Sequence, residues 1–406
     1  MTNEQAVPRL TGAQVCAARF AAQGLGTPIA GDRPAALVPV AVTAMAGAHA
    51  QVMSAAELGI GLRVEGATRQ DVREALWQDH SIVKTYGPRG TVHFLPAAEM
   101  PYWVGALSSV PPLASNSFPE GVRLTEDQTE AVVAAIADSL KAADLTIDEL
   151  SDAVVERAGE WAGDLVMPAF QTMWPRWRQV QHLAGLRGVL AFGPNRGRKV
   201  TYTNPHRLNP FEPAEPREAQ VHILRSYLTA YGPSTPQRFA HWLAAPKQWA
   251  AELFAEMGDG LRPVEVEIAG EGEGEGVKTW LPADHDLFEA AEAAPPPTEH
   301  LGVRLLPYFD TYSYRVGNQP PELLYPGKAA DRVLRGNFQN LVVDGVVAGL
   351  WHLRRSGRKL HVTVEPLVTL TRRRRAELDE QVDRVGEVLE GRPELTIGPV
   401  TVGGHA

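Results

Sequence analysis

Apolar positions recur at helical spacing over residues 11–23, with Val15, Ala18 and Phe20 among them. A second apolar segment covers residues 37–53. Thr68 stands where an N-cap belongs, ahead of residues 71–79 with Asp71 and Glu74 in the opening turns. The period then changes. Residues 82–86 and 91–95 are short β-rich runs joined by Gly87-Pro88-Arg89-Gly90, which predicts a β-hairpin. Helices followed by a hairpin form the winged-helix pattern.

That pattern recurs as architecture. Residues 125–142 predict a capped helix, and Thr146 opens another with Glu149 three positions on. Residues 170–183 predict a third, broken by Pro175. The runs 188–192 and 199–203 around Gly193-Pro194-Asn195-Arg196-Gly197-Arg198 predict a second wing. A third set of helices covers 218–231, 235–243 and 248–257. It ends in strands 264–268 and 277–281 around an acidic Gly/Glu tip at 270–276. Residues 290–297, with three consecutive prolines, read as a linker. Short strands follow at 303–306, 339–343, 346–353 and 359–366, with Asp344-Gly345 as a hairpin signal. A helix at 371–389 and a strand at 395–402 close the chain. The predicted fold is α+β: winged-helix units at 1–117, 118–212 and 213–290, then a small C-terminal β-barrel with a helix at 291–406.

Composition sets limits. The 406 residues are enough for several cores, and 44 % hydrophobic with 21 % charged residues is ordinary for globular domains. Cys16 is the single cysteine, which excludes an intrachain disulfide and a cysteine zinc site. No metal or nucleotide motif appears, so no cofactor is expected. The N-terminal residues lack a basic-then-apolar leader, and the apolar stretch at 35–50 is interrupted by Pro39 and Thr43. A soluble cytoplasmic monomer is predicted. The net charge of −9 argues at first against a polyanionic partner, but it is polarised along the chain. Residues 265–299 hold ten acids against one base, Lys278, a surplus equal to the whole net charge. Residues 165–211 hold no acid, yet carry Arg176, Arg178, Arg187, Arg196, Arg198, Lys199 and Arg207. Fields beyond about 8–10 Å are screened, so one basic face suffices to bind phosphates.

Five strings stand in a fixed order: His49-Ala50-Gln51, Arg89-Gly90-Thr91-Val92-His93, Tyr231-Gly232-Pro233-Ser234-Thr235, Leu305-Leu306-Pro307-Tyr308-Phe309-Asp310, and Asp344-Gly345-Val346-Val347-Ala348-Gly349-Leu350-Trp351. Together they resemble the AlkZ/YcaQ-type DNA glycosylases over nearly the whole chain. The resemblance implies three winged-helix units and a β-barrel in a C-shape whose concave face holds double-stranded DNA. It also implies excision of bulky alkylated purines of the N7-alkylguanine type. The family's catalytic motif, Gln-apolar-Gln or Gln-apolar-Asp, falls on His49, Ala50 and Gln51, with histidine replacing the first glutamine. The His-apolar-Gln form is similar to the variants associated with antibiotic gene clusters, which implies protection of a producer from its own DNA-alkylating product.

The residues themselves suit that chemistry. His49 and Gln51 point about 200° apart in a helix but to one side in an extended segment. Joint action therefore requires the helix to break, and Gly47 supplies the place. Alkylation at purine N7 makes the base a good leaving group. What remains is to place a water beneath C1′ and stabilise an oxocarbenium-like sugar. A neutral imidazole can take the water's proton and a glutamine amide oxygen can orient it. The competing reading is a pair of partly buried polar residues. Arg89, Thr91 and His93 alternate along the first wing and offer one face to phosphate or minor groove. Arg196, Arg198 and Lys199 form a wing-tip cluster with no acid nearby in sequence. Arg176 and Arg178 sit between Trp174 and Trp177, which suits either DNA contact or a core with a basic edge. Arg372 to Arg375 read as a solvated face, and Phe309-Asp310 as ties within the barrel. A winged-helix regulator without catalysis is the main rival function, and a protein-binding scaffold the second.

Overall fold

Threonine caps open several predicted helices. Thr11, Thr125 and Thr146 each accept from the backbone N–H three residues on, while Gln14, Gln128 and Glu149 reach back to the cap. Each reciprocal box satisfies two N–H groups that a helix start otherwise leaves without partners. The computed structural model describes residues 7–112, 118–169, 171–267, 276–288, 300–316, 318 and 321–403. Its mixed α+β chain divides into two units: residues 1–73, 224–243 and 247–406 in the first, residues 74–223 and 244–246 in the second.

In the first unit, strand Arg9–Leu10 runs parallel to Leu261–Glu267, which pairs antiparallel with Gly276–Pro282. Leu10, Val15 and Cys16 pack with Val264, Val266 and Leu281 beneath this small sheet. The predicted tip at 270–275 and the linker at 290–297 lie outside the described residues.

The C-terminal strands Val303–Leu306, Gln339–Val343, Val346–Ser356 and Lys359–Pro366 form an antiparallel meander. Asp344 and Gly345 turn it at φ 49° and 83°, the paired positive values a two-residue hairpin needs. The fifth strand, Arg392–Ile397, lies parallel to Lys359–Pro366. A parallel return requires a crossover, and the helix Arg372–Val388 is that crossover. It packs against both edge strands, Val303–Leu306 and Arg392–Ile397, and buries Leu378, Val382, Val385 and Val388. Among the described residues the ladder does not close. The predicted barrel is therefore a curled five-stranded half-barrel with a helix along its seam.

The same core takes Phe20, Leu25, Leu58 and Leu62 from the chain's start. The fit is tight at Gly61, where a Cβ would come within 2.4 Å of Val388 Cγ1. Arg384 donates from Nη2 to the carbonyl oxygens of Gly61 (2.7 Å), Val64 (2.9 Å) and Ala67 (2.9 Å). One guanidinium thus serves a carbonyl left over at the end of the helix Met53–Gly61 and two in the loop that follows it.

The second unit carries hairpins Ile82–Tyr86 with Val92–Pro96, and Ala191–Arg196 with Lys199–Thr203. Leu145–Thr146 extends the latter sheet. Its core joins Val132, Ile136, Leu150, Val154, Trp177 and Tyr202. The helix predicted at 170–183 is corrected here. Leu165–Ala169 and Thr172–Pro175 pair as a third hairpin, and the α-helix covers only Gln181–Leu186. Pro175, at φ −65° and ψ 149°, is extended, so helical turns begin only after it.

Candidate active site

The helix Pro34–Ala44 ends abruptly. Gly47 donates to Val42 O (3.0 Å) and Ala46 to Thr43 O (2.9 Å), while both residues take positive φ, 86° and 50°. This is the Schellman closure, with the left-handed position filled by an alanine. The chain leaves it extended through Ala48–His49 and does not become helical again until Met53. The break that joint action of His49 and Gln51 requires is present. His49 is only 9 % exposed, whereas Gln51 is exposed.

What covers His49 comes from the far end of the sequence. The ring of Phe309 lies 4.6 Å from the imidazole, centroid to centroid, and that of Tyr314 lies at 5.9 Å. The two aromatics meet edge to face at 5.3 Å. Phe309 holds φ 60°, a left-handed conformation that costs a non-glycine residue about 1–3 kcal/mol. Its neighbours supply the restraint. Asp310 and Arg63 form a fork-to-fork pair at 2.8 and 2.9 Å with both side chains fully buried. Arg63 also donates to Gly59 O (2.8 Å) and Gln23 Oε1 (2.9 Å), and Tyr312 N donates to Asp310 Oδ1 (3.0 Å). Tyr314 N and Ser313 N donate to Asp310 O. Arg19 and Asn318 donate to the carbonyl of Tyr312, whose buried hydroxyl donates to Gly345 O (2.7 Å). The turn that carries Phe309 and Tyr314 is thus pinned on several sides.

The candidate cations of the second unit are arranged differently from their sequence pattern. Arg89, Thr91 and His93 do not share one face. The strand starts at Val92, Arg89 sits in the preceding turn at φ 63°, and His93 is 4 % exposed. The His93 ring packs over Gly87, where a Cβ would come within 2.9 Å, and its Nδ1 lies 2.9 Å from Thr91 O. The wing-tip cluster is not acid-free either. Arg196 pairs with Glu149 at 2.8 Å and Lys199 with Asp148 at 2.8 Å. These acids lie on the first turn of the helix Ile147–Ala158, remote in sequence but adjacent in space. Hydrogen bonds from Thr146, then the Arg196 guanidinium, hold the Glu149 carboxyl below its usual range. Arg176 pairs with Asp164 at 3.2 Å, and Arg187 with Glu130 at 2.8 Å. Arg198 is exposed at the turn. Arg178 stacks its guanidinium 3.9 Å from the ring centroid of the exposed Trp174, while Trp177 is buried and donates to Ser151 Oγ. Arg373, Arg374 and Arg375 pair with Glu377, Asp344 and Asp379.

The profile of the family described as "DNA glycosylase AlkZ-like" matches residues 42–388. The chain belongs to that family. An interstrand DNA cross-link repair glycosylase of Streptomyces sahachiroi is 31 % identical over 319 residues, covering 76 % of this chain and 80 % of that protein. The solved structure of the Streptomyces sahachiroi DNA glycosylase AlkZ superposes with a TM-score of 0.76 at 27 % identity, covering 96 % of this chain and all of that one. This AlkZ-like chain is accordingly an enzyme, a DNA glycosylase that hydrolyses N-glycosyl bonds. No helix among the described residues is long and apolar enough to cross a membrane.

Within this AlkZ-like chain, sequence reasoning missed Phe309 as a neighbour of His49, and Tyr314 altogether. The string from Leu305 to Asp310 carried the signal, but nothing in it tells which distant segment the aromatics meet. Glu57 was also missed. It is a buried carboxylate in the helix after the motif and pairs with Arg73 at 2.6 Å.

Proposed function

We propose that this DNA glycosylase removes bulky alkylated purines of the N7-alkylguanine type from duplex DNA, in adduct and cross-link repair, by direct hydrolysis. The observation that carries the reading is the non-helical segment between two helices in which His49 is held under Phe309 while Gln51 stays exposed. In this reading the cationic base departs with the electrons of the C1′–N9 bond. Water adds at C1′ of the oxocarbenium-like sugar, His49 takes the water's proton, and Gln51 orients the water through its amide oxygen. The departing base carries away no positive charge, and the sugar is left with a hydroxyl. No lysine adduct is required. The cross-link repair activity of the S. sahachiroi relative supports cross-links as substrates. Histidine at the first motif position supports a role in self-resistance. Three winged-helix modules are proposed as the DNA-holding frame of a monomer, each ending in one of the hairpins at 82–96, 191–203 and 261–282.

The test is release of free base from a duplex alkylated with a nitrogen mustard, followed by chromatography and by strand scission at the abasic site. Release is expected. Its absence across alkylated duplexes, together with tight binding to one unmodified operator sequence, would replace the enzyme with a regulator.

Arg196 and Lys199 are proposed to meet phosphates. Exposed ion pairs contribute only about 0–1 kcal/mol, so phosphates can displace Glu149 and Asp148 at little cost. Glu149→Gln keeps the helix cap but removes the competing charge, and is expected to tighten duplex binding at low salt. Arg196→Ala is expected to flatten the plot of log K against log salt by about 0.9 for each phosphate it no longer neutralises. Fluorescence anisotropy over a sodium chloride series reads both. An unchanged slope in Arg196→Ala removes that residue from the interface.

A further inference from the structure

We propose that Phe309 is a positioning residue for His49. The inference rests on His49 being the proton acceptor of the reaction. The imidazole is not fixed by its own short strand alone, because Ala48–His49 covers only two residues between two helices. A ring that turns freely about its Cβ would present its nitrogens to the water in the right direction for only part of the time. Here the Phe309 ring lies against it at 4.6 Å with the planes 42° apart, and Tyr314, in edge-to-face contact with Phe309, approaches it at 5.9 Å. Both aromatics ride on a turn that cannot easily shift. Asp310 is locked to the fully buried Arg63, and the carbonyl of Asp310 holds the N–H of Tyr314 at 2.7 Å. Arg63 is itself fixed to Gly59 O, inside the helix that follows the His49–Gln51 segment. The same guanidinium therefore ties the turn carrying Phe309 to the helix following His49. The left-handed backbone of Phe309 aims its ring, and the buried pair keeps it aimed.

The experiment compares Phe309→Leu, Phe309→Tyr and His49→Ala with wild type under single-turnover conditions on the nitrogen-mustard-alkylated duplex. Phe309→Leu keeps an apolar side chain but removes the flat ring face. It is expected to slow excision by about 10–10²-fold, the scale of a misplaced catalytic group. Duplex affinity and melting temperature should stay near wild type, and Phe309→Tyr should restore most of the rate. In the DNA-free protein, the His49 ring resonance, assigned by its loss in His49→Ala, should shift in Phe309→Leu as the neighbouring ring current disappears. If His49→Ala is inactive while Phe309→Leu excises at the wild-type rate, the positioning inference fails and the catalytic reading stands. If Phe309→Leu loses rate and melting temperature together, with the His49 resonance unmoved, Phe309 is structural only and the inference fails. If His49→Ala keeps the full rate, the catalytic reading itself falls.

Discussion

Replacing His49 with alanine is expected to lower the single-turnover rate of base excision by about 10²–10⁴-fold, the range over which a positioned proton acceptor acts. The affinity for the same alkylated duplex should change little. His49 is 9 % exposed and lies among aromatic rings, so its truncation removes no charge that a phosphate would meet. Gln51→Ala is expected to cost less than His49→Ala, because an orienting amide moves no proton. The double variant should be barely slower than His49→Ala, since residues that act on one water are not additive. His49→Gln restores the glutamine seen at this position in the Gln-apolar-Gln motif, and is expected to recover part of the rate without the proton transfer. Rapid-quench excision assays with the four variants beside wild type decide the matter. A fully active His49→Ala would move the chemistry elsewhere.

The second large effect is on stability. Arg63→Ala leaves the Asp310 carboxylate fully buried without its cation, and Gln23 and Gly59 without the donor that serves them. Breaking a buried pair from one side costs about 3–5 kcal/mol. At about 2–4 °C for each kcal/mol, the first unit's thermal transition should fall by roughly 6–20 °C. The double replacement Arg63→Met with Asp310→Leu removes both charges at once and should regain part of the loss. Thermal and urea denaturation followed by circular dichroism read the difference. If Arg63→Ala melts within a degree of wild type, the pair does not anchor the turn that carries Phe309.

Much of the fold could be read because local signals are physical. Thr146 with Glu149 is a capping box in sequence and in space, and Asp344-Gly345 turns the strands that flank it. The break in the helix ahead of His49 was legible from Gly47, although Ala46 shares the left-handed turn. Residues 170–183 misled because Trp177 and Val180 suit a helix, while Pro175 forces the chain straight before them. The barrel misled because strand counts do not reveal closure. Only the parallel return of Arg392–Ile397 shows that a helix takes up the seam. Cation clusters misled most. An acid-free run of sequence says nothing about acids on a neighbouring helix, which is how Asp148 and Glu149 came to sit beside Lys199 and Arg196. The surroundings of His49 were beyond reach for the same reason: Phe309 and Tyr314 meet it from far along the chain.

The guanidinium of Arg384 that closes the helix Met53–Gly61 also sets a schedule. It lies 323 residues beyond Gly61, so during synthesis the segment bearing His49 and Gln51 waits for that partner. At about 5–20 residues per second the wait is on the order of tens of seconds. Until then the carbonyls of Gly61, Val64 and Ala67 lack that donor, and the groove at Gly61 lacks Val388. A ribosome-bound fragment can therefore bear the whole motif before the helix that follows it has this partner. The helix that follows the His49–Gln51 segment gains its last partners only with the helix Arg372–Val388.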